Sequence, residues 1–431
     1  MIVYPSELSS AAIRSLIGSA SDDVIFVGDA RYQIEFTSRA RDRMIETLRA
    51  WNAGLVFSDG VDRPRADYQF GSIRDDFDFG PVVALSVPWA RQALDRYDSG
   101  EAFAWGGLYD LRLKLSMDAP IVRIPEPLYA STDPDRRTSS EKHFDYVDPA
   151  ARAYQAEMEQ IATAHLRRIG AYLPAREQNS PGGTAFPVEA SVVIPVRNRD
   201  RTIGDAIRSA LDQVSDFRFN VIVVNNHSVD RTSEVIAAVE DDRLIPIVPI
   251  RTDLGIGGCW QEALESNRCG RYALQLDSDD LFEATDVLAR VVETMRTEQV
   301  AMLVGSYTTV DFSLNTIAPG LVDHAEWTAE NGHNNALRVN GFGAPRAYDV
   351  SVVRRLGFPN VSYGEDYAMG LRVSREYRIG RIFDSLYLCR RWEGNTDSAP
   401  TVNQVNRFNA YKDWLRTAEI RARVVLNGRE G

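Results

Sequence analysis

Asp277-Ser278-Asp279-Asp280 places three carboxylates within four positions, directly after the apolar run YALQL at 272–276. Carboxylates gathered at the end of a buried strand repel one another and lose hydration unless a cation or sugar hydroxyls meet them. Hard oxygen ligands suit Mg²⁺ or Mn²⁺, and magnesium typically takes one or two carboxylates and completes its shell with substrate phosphate oxygens. The plainer reading is a cap, with Asp279 or Asp280 closing the first turn of a helix beginning near Leu281. A second acidic cluster, Tyr363-Gly364-Glu365-Asp366-Tyr367, precedes a helical pattern. A carboxylate there could take the proton from an attacking hydroxyl, or could simply stabilise the helix N-terminus. In a third cluster, Asn225-Asn226-His227-Ser228-Val229-Asp230, the amides suit a nucleobase edge while Ser228 or Asp230 caps the following helix. Gly255-Ile256-Gly257-Gly258 would let backbone approach a diphosphate, but it lacks the spacing and early position of a dinucleotide fingerprint. His324, Trp327 and His333 lie in the polar stretch DHAEWTAENGHNN, where an acceptor could bind, and Arg390, Arg391 and Trp392 could neutralise a departing diphosphate.

Positioning such groups requires a sheet. ASVVIPV (190–196) and NVIVVNN (220–226) are short, β-branched and apolar throughout, as strands covered on both faces must be. RLIPIVPI (243–250) and YALQLDSDD (272–280) read as third and fourth strands. Helical spacing separates them at 202–213, 228–239 and after Gly258. This alternation predicts an α/β fold, a mostly parallel sheet with helices on both faces. Ligands of such sheets bind beyond the carboxyl ends of the strands, where Asn225, Asn226 and the Asp277 cluster fall.

Asp148-Pro149 reads as the start of a long helix running to about Tyr172, and the polar, turn-rich EQNSPGGT (177–184) as a linker. The expected organisation is a module at 1–135, a helix and linker at 136–185, a catalytic domain at 186–400 and a C-terminal helix at 401–431. Apolar and cationic side chains interleave from Val402 to Val424, which fits packing against the enzyme or contact with a membrane surface. The 431 residues carry a net charge of −12, which argues against a general nucleic-acid binder. Three cysteines without CxxC spacing support neither a disulfide framework nor a zinc cluster, and point to thiols in a reducing cytoplasm. No window approaches 18 uninterrupted apolar residues, so no transmembrane helix is expected.

The N-terminal module carries an echo of the catalytic domain. Shifted by 258 positions, GGLYDLRLKLSMDAPIVRIPEPLY (106–129) lies on GEDYAMGLRVSREYRIGRIFDSLY (364–387) without a gap. Tyr109/Tyr367, Ser116/Ser374, Arg123/Arg381 and Tyr129/Tyr387 coincide. A shift of about 248 sets Asp29-Ala30-Arg31 against Asp277-Ser278-Asp279, and the first shift sets Gly107-Leu108 against Glu365-Asp366. The first module is therefore read as a copy stripped of its acids. Packing on the catalytic domain, forming a homodimer and positioning an acceptor are the roles open to it.

Four segments in order resemble a family 2 glycosyltransferase of the GT-A fold: SVVIPVRNRDRTIGDAIRSALDQ, NVIVVNNHSVDRT, YALQLDSDDLF and YGEDYAMGLRV. The resemblance spans about residues 188–398. It implies a nucleoside-diphosphate-sugar donor, UDP or GDP in the first instance, a divalent metal and a carbohydrate acceptor hydroxyl attacking with inversion, as in polysaccharide or glycoconjugate assembly. Carried over by position, Asp279 would ligate the metal and Asp277 would contact ribose or the hydrated metal, with Ser278 beside them. Asp366 would be the base, supported by Glu365. Pro195, Arg197, Asp200, Asn225 and Asn226 would line the nucleotide pocket. Departures from the family pattern are Asn225 where Asp is usual, Cys259-Trp260 in place of an Arg-Asn pair, and Trp392 where a histidine ligand often follows the last strand. A non-catalytic sugar-nucleotide or glycan-binding protein and a sugar nucleotidyltransferase remain the alternatives. Against the latter, Arg197-Asn198-Arg199-Asp200 contains no glycine.

Overall fold

Runs of buried Val, Ile and Leu build two separate sheets. The computed structural model describes residues 2–5, 7–61, 63–98, 100–132, 151–183, 185–395 and 400–430. They fall into one unit of Met1–Tyr172, Leu337–Val339 and Ala399–Gly431 and another of Leu173–Ala336 and Asn340–Ser398.

The first unit runs β1 (Ile2–Val3), α1 (Ser10–Ser19), β2 (Val24–Gly28), β3 (Gln33–Phe36), α2 (Ala40–Ala50), β4 (Leu55–Gly60), β5 (Val82–Ser86), α3 (Val87–Arg96), α4 (Gly107–Asp118), β6 (Ile121–Thr132) and α5 (Arg152–Arg168). The expected helix start at Asp148-Pro149 lies outside the described residues. Its sheet order is β1-β2-β5-β4-β6-β3. Side chains alternate across the sheet. Phe57, Val83 and Leu85 face Ile13, Ile17, Ala90 and Leu111 of α1, α3 and α4, while Phe26, Val56 and Ala84 face Met44 and Leu48 of α2.

The second unit runs β7 (Ala190–Val196), α6 (Ile203–Leu211), β8 (Phe219–Asn225), α7 (Thr232–Ala237), β9 (Leu244–Ile247), α8 (Ile256–Glu265), β10 (Tyr272–Gln275), β11 (Leu281–Phe282), α9 (Val287–Glu298), β12 (Met302–Val310), β13 (Thr316–Val322), α10 (Gly332–Asn335), β14 (Arg346–Asp349), α11 (Val350–Leu356), α12 (Glu365–Glu376) and β15 (Ile379–Arg390). β10, β7, β8 and β9 run parallel, and β14 enters antiparallel between β10 and β12. Every residue of β8 is buried, as an apolar strand between two helical layers must be. Cys259 and Cys269 are buried thiols, each pushed up to about 11 by burial, and none of the three cysteines forms a disulfide.

The two sheets share one topology. β7-β10-β14-β12-β15-β11 repeats β1-β2-β5-β4-β6-β3 strand for strand. The pairings are parallel, antiparallel, antiparallel, parallel and antiparallel in both. α4 and α12 each have 12 residues, and each leads into a 12-residue strand. Matched side chains keep their tasks. Ser116 donates to the Leu113 carbonyl and Ser374 to that of Leu371. Tyr109 and Tyr367 each donate to a main-chain carbonyl, of Ile73 and Ala336. Among the described residues the first unit has no counterpart of β8, α7 and β9, the elements that carry the Asn225-Asn226 loop.

The C-terminal helix α13 (Val402–Glu430) belongs to the first unit. Its buried stripe is mostly polar, with Lys412, Asp413, Arg416, Glu419 and Arg423 beside Ile420. Asp413 accepts from Ser72, Arg74 and Arg416 at 2.8, 3.3 and 2.7 Å. Gly71 permits the approach, because a Cβ there would lie 2.3 Å from the Thr417 nitrogen. No helix of the described residues is long and apolar enough to cross a membrane.

Candidate active site

β10 is buried along its length and ends beside β7, so the chain emerging from it must turn at the sheet's edge. It does so over Asp277–Asp280, with the Asp280 amide donating to the Asp277 carbonyl at 3.1 Å. No helix starts at Leu281. Residues 281–282 form β11 against β15, which removes the capping reading of Asp279 and Asp280. Asp280 instead accepts from the Arg390 amide at 2.7 Å. The Asp277 amide donates to the Tyr387 hydroxyl at 2.9 Å. Burial pushes the Asp277 carboxyl up, with Asp279 and Asp366 adding to it, and burial with Asp279 and Asp277 pushes Asp280 further up. The Asp279 carboxylate is held from one side, its Oδ2 accepting from the Trp392 indole at 3.3 Å and the Asn395 amide at 3.2 Å, with Arg199 Nε at 3.6 Å.

The second acidic pair opens α12, with Gly364 before it in the left-handed region at φ 80°. Three glycines set its place. A Cβ on Gly255 would lie 2.4 Å from the Val361 carbonyl carbon, one on Gly257 2.0 Å from the Pro359 oxygen, and one on Gly258 2.4 Å from Asn360 Oδ1. The glycine cluster expected to approach a diphosphate thus serves the packing of α8 against the segment leading into Glu365. Asp366 Oδ2 lies 2.7 Å from Arg346 Nη1. Arg346 heads β14, and its own amide donates to Gln275 Oε1 at 3.3 Å. Gln275 Nε2 donates to Asp277 Oδ1 at 2.9 Å. A continuous polar bridge, Asp277–Gln275–Arg346–Asp366, therefore joins the two acidic motifs. Burial opposes the Arg346 charge, yet Asp366, Asp277 and Glu365 hold its pKa above the ordinary value. Glu365 is buried and pushed up to about 8, by burial first and the Asp366 charge second. Its Oε2 has no hydrogen-bond partner among the described residues.

At the ends of β7 and β8 the loops interlock. Asn225 Oδ1 accepts from the Ser228 amide at 3.1 Å and its Nδ2 donates to Ser233 at 2.9 Å, so both amide ends are used within the loop. Asn226 Nδ2 donates to the Leu254 carbonyl at 2.8 Å, and its Oδ1 is buried without a partner among the described residues. Asp230 accepts from the Thr232 amide at 3.0 Å, opening α7, and from the Asp200 amide at 3.2 Å. Ser228 accepts from the Asn198 amide at 2.9 Å. Pro195 lies in β7 opposite Val224, Arg197 is exposed just beyond it, and Ser278 is buried within the acidic turn. Elsewhere, His333 shares a hydrogen bond with the Leu173 carbonyl at 2.8 Å, and Trp327 packs on Phe342 and over Gly332. The Arg391 amide donates to the Val310 carbonyl.

Among the described residues no group of three or more His, Cys, Asp and Glu side chains forms a metal cage. What fits is a cation shared with substrate. Asp277 and Asp279, both half-buried, offer hard oxygens, and burial with the Asp279 charge pushes the Asp277 carboxyl up, which a divalent ion would offset. Arg390 is buried beside them, donating to the Asp279 carbonyl and to Asp205 Oδ2 at 3.1 Å, and its Nη2 has no partner among the described residues. The site can therefore take a diphosphate-bearing cation at one end and keep a carboxylate base at the other. Sequence reasoning missed Gln275, Arg346, Arg199 and Asn395. For Arg346 a signal exists: a lone cation at the head of the otherwise apolar run Ala347-Tyr348, ahead of the acidic helix.

Residues 191–355 match the family described as Glycosyl transferase family 2. Glycosyltransferase AglD of Haloferax volcanii is 34% identical over 140 residues, 30% of this chain and 21% of that protein. Succinoglycan biosynthesis protein ExoO of Rhizobium meliloti is 33% identical over 115 residues, 27% of this chain and 32% of that protein. The chain thus spans less than a third of the length of either relative. Among solved structures, S. aureus TarS 1–349 with UDP-GlcNAc aligns at TM-score 0.42 and 20% identity, covering 55% of this chain and 72% of that one. Mannosyltransferase PcManGT of Pyrobaculum calidifontis, with GDP-Man and Mn²⁺, aligns at TM-score 0.37 and 17% identity, covering 65% and 85%.

Proposed function

We propose that this chain, in which residues 191–355 form a glycosyl transferase family 2 domain, moves a sugar from a nucleoside-diphosphate-sugar to an acceptor hydroxyl with inversion. The observation that carries the reading is the bridge from Asp277 through Gln275 and Arg346 to Asp366. It sets the two acidic motifs in one charge-coupled site at the carboxyl edge of the parallel strands, where open α/β sheets bind ligands. The nucleoside would lie against Pro195, Arg197, Asp200 and the Asn225-Asn226 loop. Asp279 and Asp277 would hold Mg²⁺ or Mn²⁺ together with diphosphate oxygens, and such a cation supplies Lewis-acid charge to the leaving group. Arg390 presents its unpartnered Nη2 to the same phosphates. Asp366, ionised beside Arg346, accepts the proton of the acceptor hydroxyl as it attacks. Glu365, largely protonated at neutral pH, offers a hydroxyl donor to sugar oxygens. The acceptor is a glycan, polysaccharide or glycoconjugate precursor, the setting is the cytoplasm, and the first unit is non-catalytic.

Thermal-shift measurements with UDP-, GDP- and dTDP-sugars in Mn²⁺ test this. One donor class is expected to raise the melting midpoint of wild type by several degrees in a Mn²⁺-dependent manner, and not that of Asp279→Ala. Wild-type protein indifferent to every donor would contradict it.

A further inference from the structure

The structure holds the base carboxylate with a side chain that belongs to neither acidic motif. Arg346 comes from β14, the antiparallel strand inserted between β10 and β12, and the pairings of Leu274 and Leu303 with Ala347 fix its register. Its side chain is 13% exposed and reaches Asp366 Oδ2 at 2.7 Å. The same guanidinium donates to the Gly343 carbonyl, which anchors it to the turn before its own strand. Asp366 Oδ1 accepts from the Tyr367 amide at 2.7 Å. The carboxylate is thus oriented at both oxygens, one by the helix that carries it and one by a neighbouring strand. The second contact leads on: the Arg346 amide donates to Gln275, which donates to Asp277. β14's counterpart in the first unit is β5, where register sets Val83 at the Arg346 position. The copy that carries Leu108 in place of Asp366 has lost the arginine too.

We infer that Arg346 is the positioning residue of the reaction, fixing Asp366 relative to the donor-binding carboxylates through Gln275. The inference rests on the transferase reading above. A planar guanidinium suits the task, since its Nη1 meets both Asp366 Oδ2 and the Gly343 carbonyl from a fixed plane, whereas a lysine ammonium supplies charge on a flexible stem without that plane. Its chemical step is modest. No bond to Arg346 forms or breaks; it holds the oxygen that receives the acceptor proton.

The test is steady-state release of nucleoside diphosphate from UDP-glucose, UDP-N-acetylglucosamine and GDP-mannose with Mn²⁺, using the full chain. For the donor that wild type turns over, Arg346→Met should lower kcat about 10²-fold, the scale of a misplaced reacting group, with donor KM within about threefold. Arg346→Lys should recover much of the loss, ending about tenfold below wild type, because it restores charge without the rigid planar group. In an Asp366→Asn background, Arg346→Met should cost nothing further, since the group it positions is gone. Multiplicative losses in the double variant, or wild-type kcat in Arg346→Met, would overturn the inference alone. Should Arg346→Met fail to fold, Arg346→Lys carries the same comparison: a tenfold loss that vanishes in the Asp366→Asn background supports the inference, and one that persists overturns it. A wild-type chain that turns over none of the three donors overturns the transferase reading and the inference with it.

Discussion

Glu365 and Asp366 are neighbours in sequence and opposites in chemistry. Asp366 meets a guanidinium at 2.7 Å, while Glu365 is buried with an unpartnered oxygen and pushed up from 4.5 to about 8. Their amide variants should therefore differ. Asp366→Asn removes the proton acceptor and is expected to lower turnover by about 10²–10⁴-fold, the range of general bases. Glu365→Gln copies the form already present at pH 7 and should stay within about tenfold of wild type, the price of a lost hydroxyl donor being small beside a lost base. The pH dependence of stability follows with a definite sign. A carboxyl whose folded value is raised contributes fully below its unfolded value near 4.5, and that contribution is lost as pH rises toward 8. Melting midpoints of the metal-free protein measured from pH 5 to 8 should fall more steeply for wild type than for Glu365→Gln. Equal slopes would place the Glu365 proton elsewhere. Which carboxylates the fold brings together was readable from the sequence, because both acidic motifs stand out by spacing. What stabilises each was not, because Arg346 lies 20 residues before Asp366 and meets it only through the pairing of β14 with β10 and β12.

At the scale of elements, the apolar runs at 190–196 and 220–226 gave strands close to the observed Ala190–Val196 and Phe219–Asn225, since a fully buried parallel strand has few other ways to read. The second helix is shorter than expected, beginning only at Thr232, because residues 226–231 are spent in a loop with His227 at φ 53°. The acidic turn is another difference. Its aspartates lead into β11, a strand fixed by long-range pairing with β15, which no local cap signal could disclose. The glycines at 255, 257 and 258 were visible, but their partner was not, since Pro359, Asn360 and Val361 lie a hundred residues on. Gly257→Ala tests their packing role. The added methyl would meet the Pro359 carbonyl oxygen at 2.0 Å and Glu365 Cβ at 2.8 Å. Forcing that segment aside should cost about 1–3 kcal/mol in denaturant unfolding, as overpacking generally does, and lower kcat by moving the start of α12. Unchanged stability and turnover would show that the 359–362 segment yields freely.

For the whole molecule, the echo between 106–129 and 364–387 extends to two sheets with the same strand order and pairing senses. The first unit carries Gly107 and Leu108 at the positions matching Glu365 and Asp366. Arg31 stands where Asp279 does in the second unit and neutralises Asp29 through paired contacts at 3.0 and 2.6 Å. Asp29→Ala is therefore expected to leave Mn²⁺-dependent donor hydrolysis unchanged; a large loss would give the first unit a chemical part. Asp413→Ala should act on stability instead. It removes the buried carboxylate to which Ser72, Arg74 and Arg416 donate, at a cost of about 3–5 kcal/mol, readable as a lowered unfolding midpoint. The base that a donor would carry is the least legible feature of all, because Asn225 accepts from the Ser228 amide and donates to Ser233, which leaves no base preference in view. The most direct measurement is nucleoside diphosphate release from UDP-, GDP- and dTDP-sugars in Mn²⁺, comparing wild type with Asp279→Ala. One donor class should be turned over by wild type, with loss of at least about 10²-fold in the variant, in line with removing a group that stabilises developing charge. Release that is indifferent to Asp279, or absent with every donor, would contradict a single site built from the two acidic motifs.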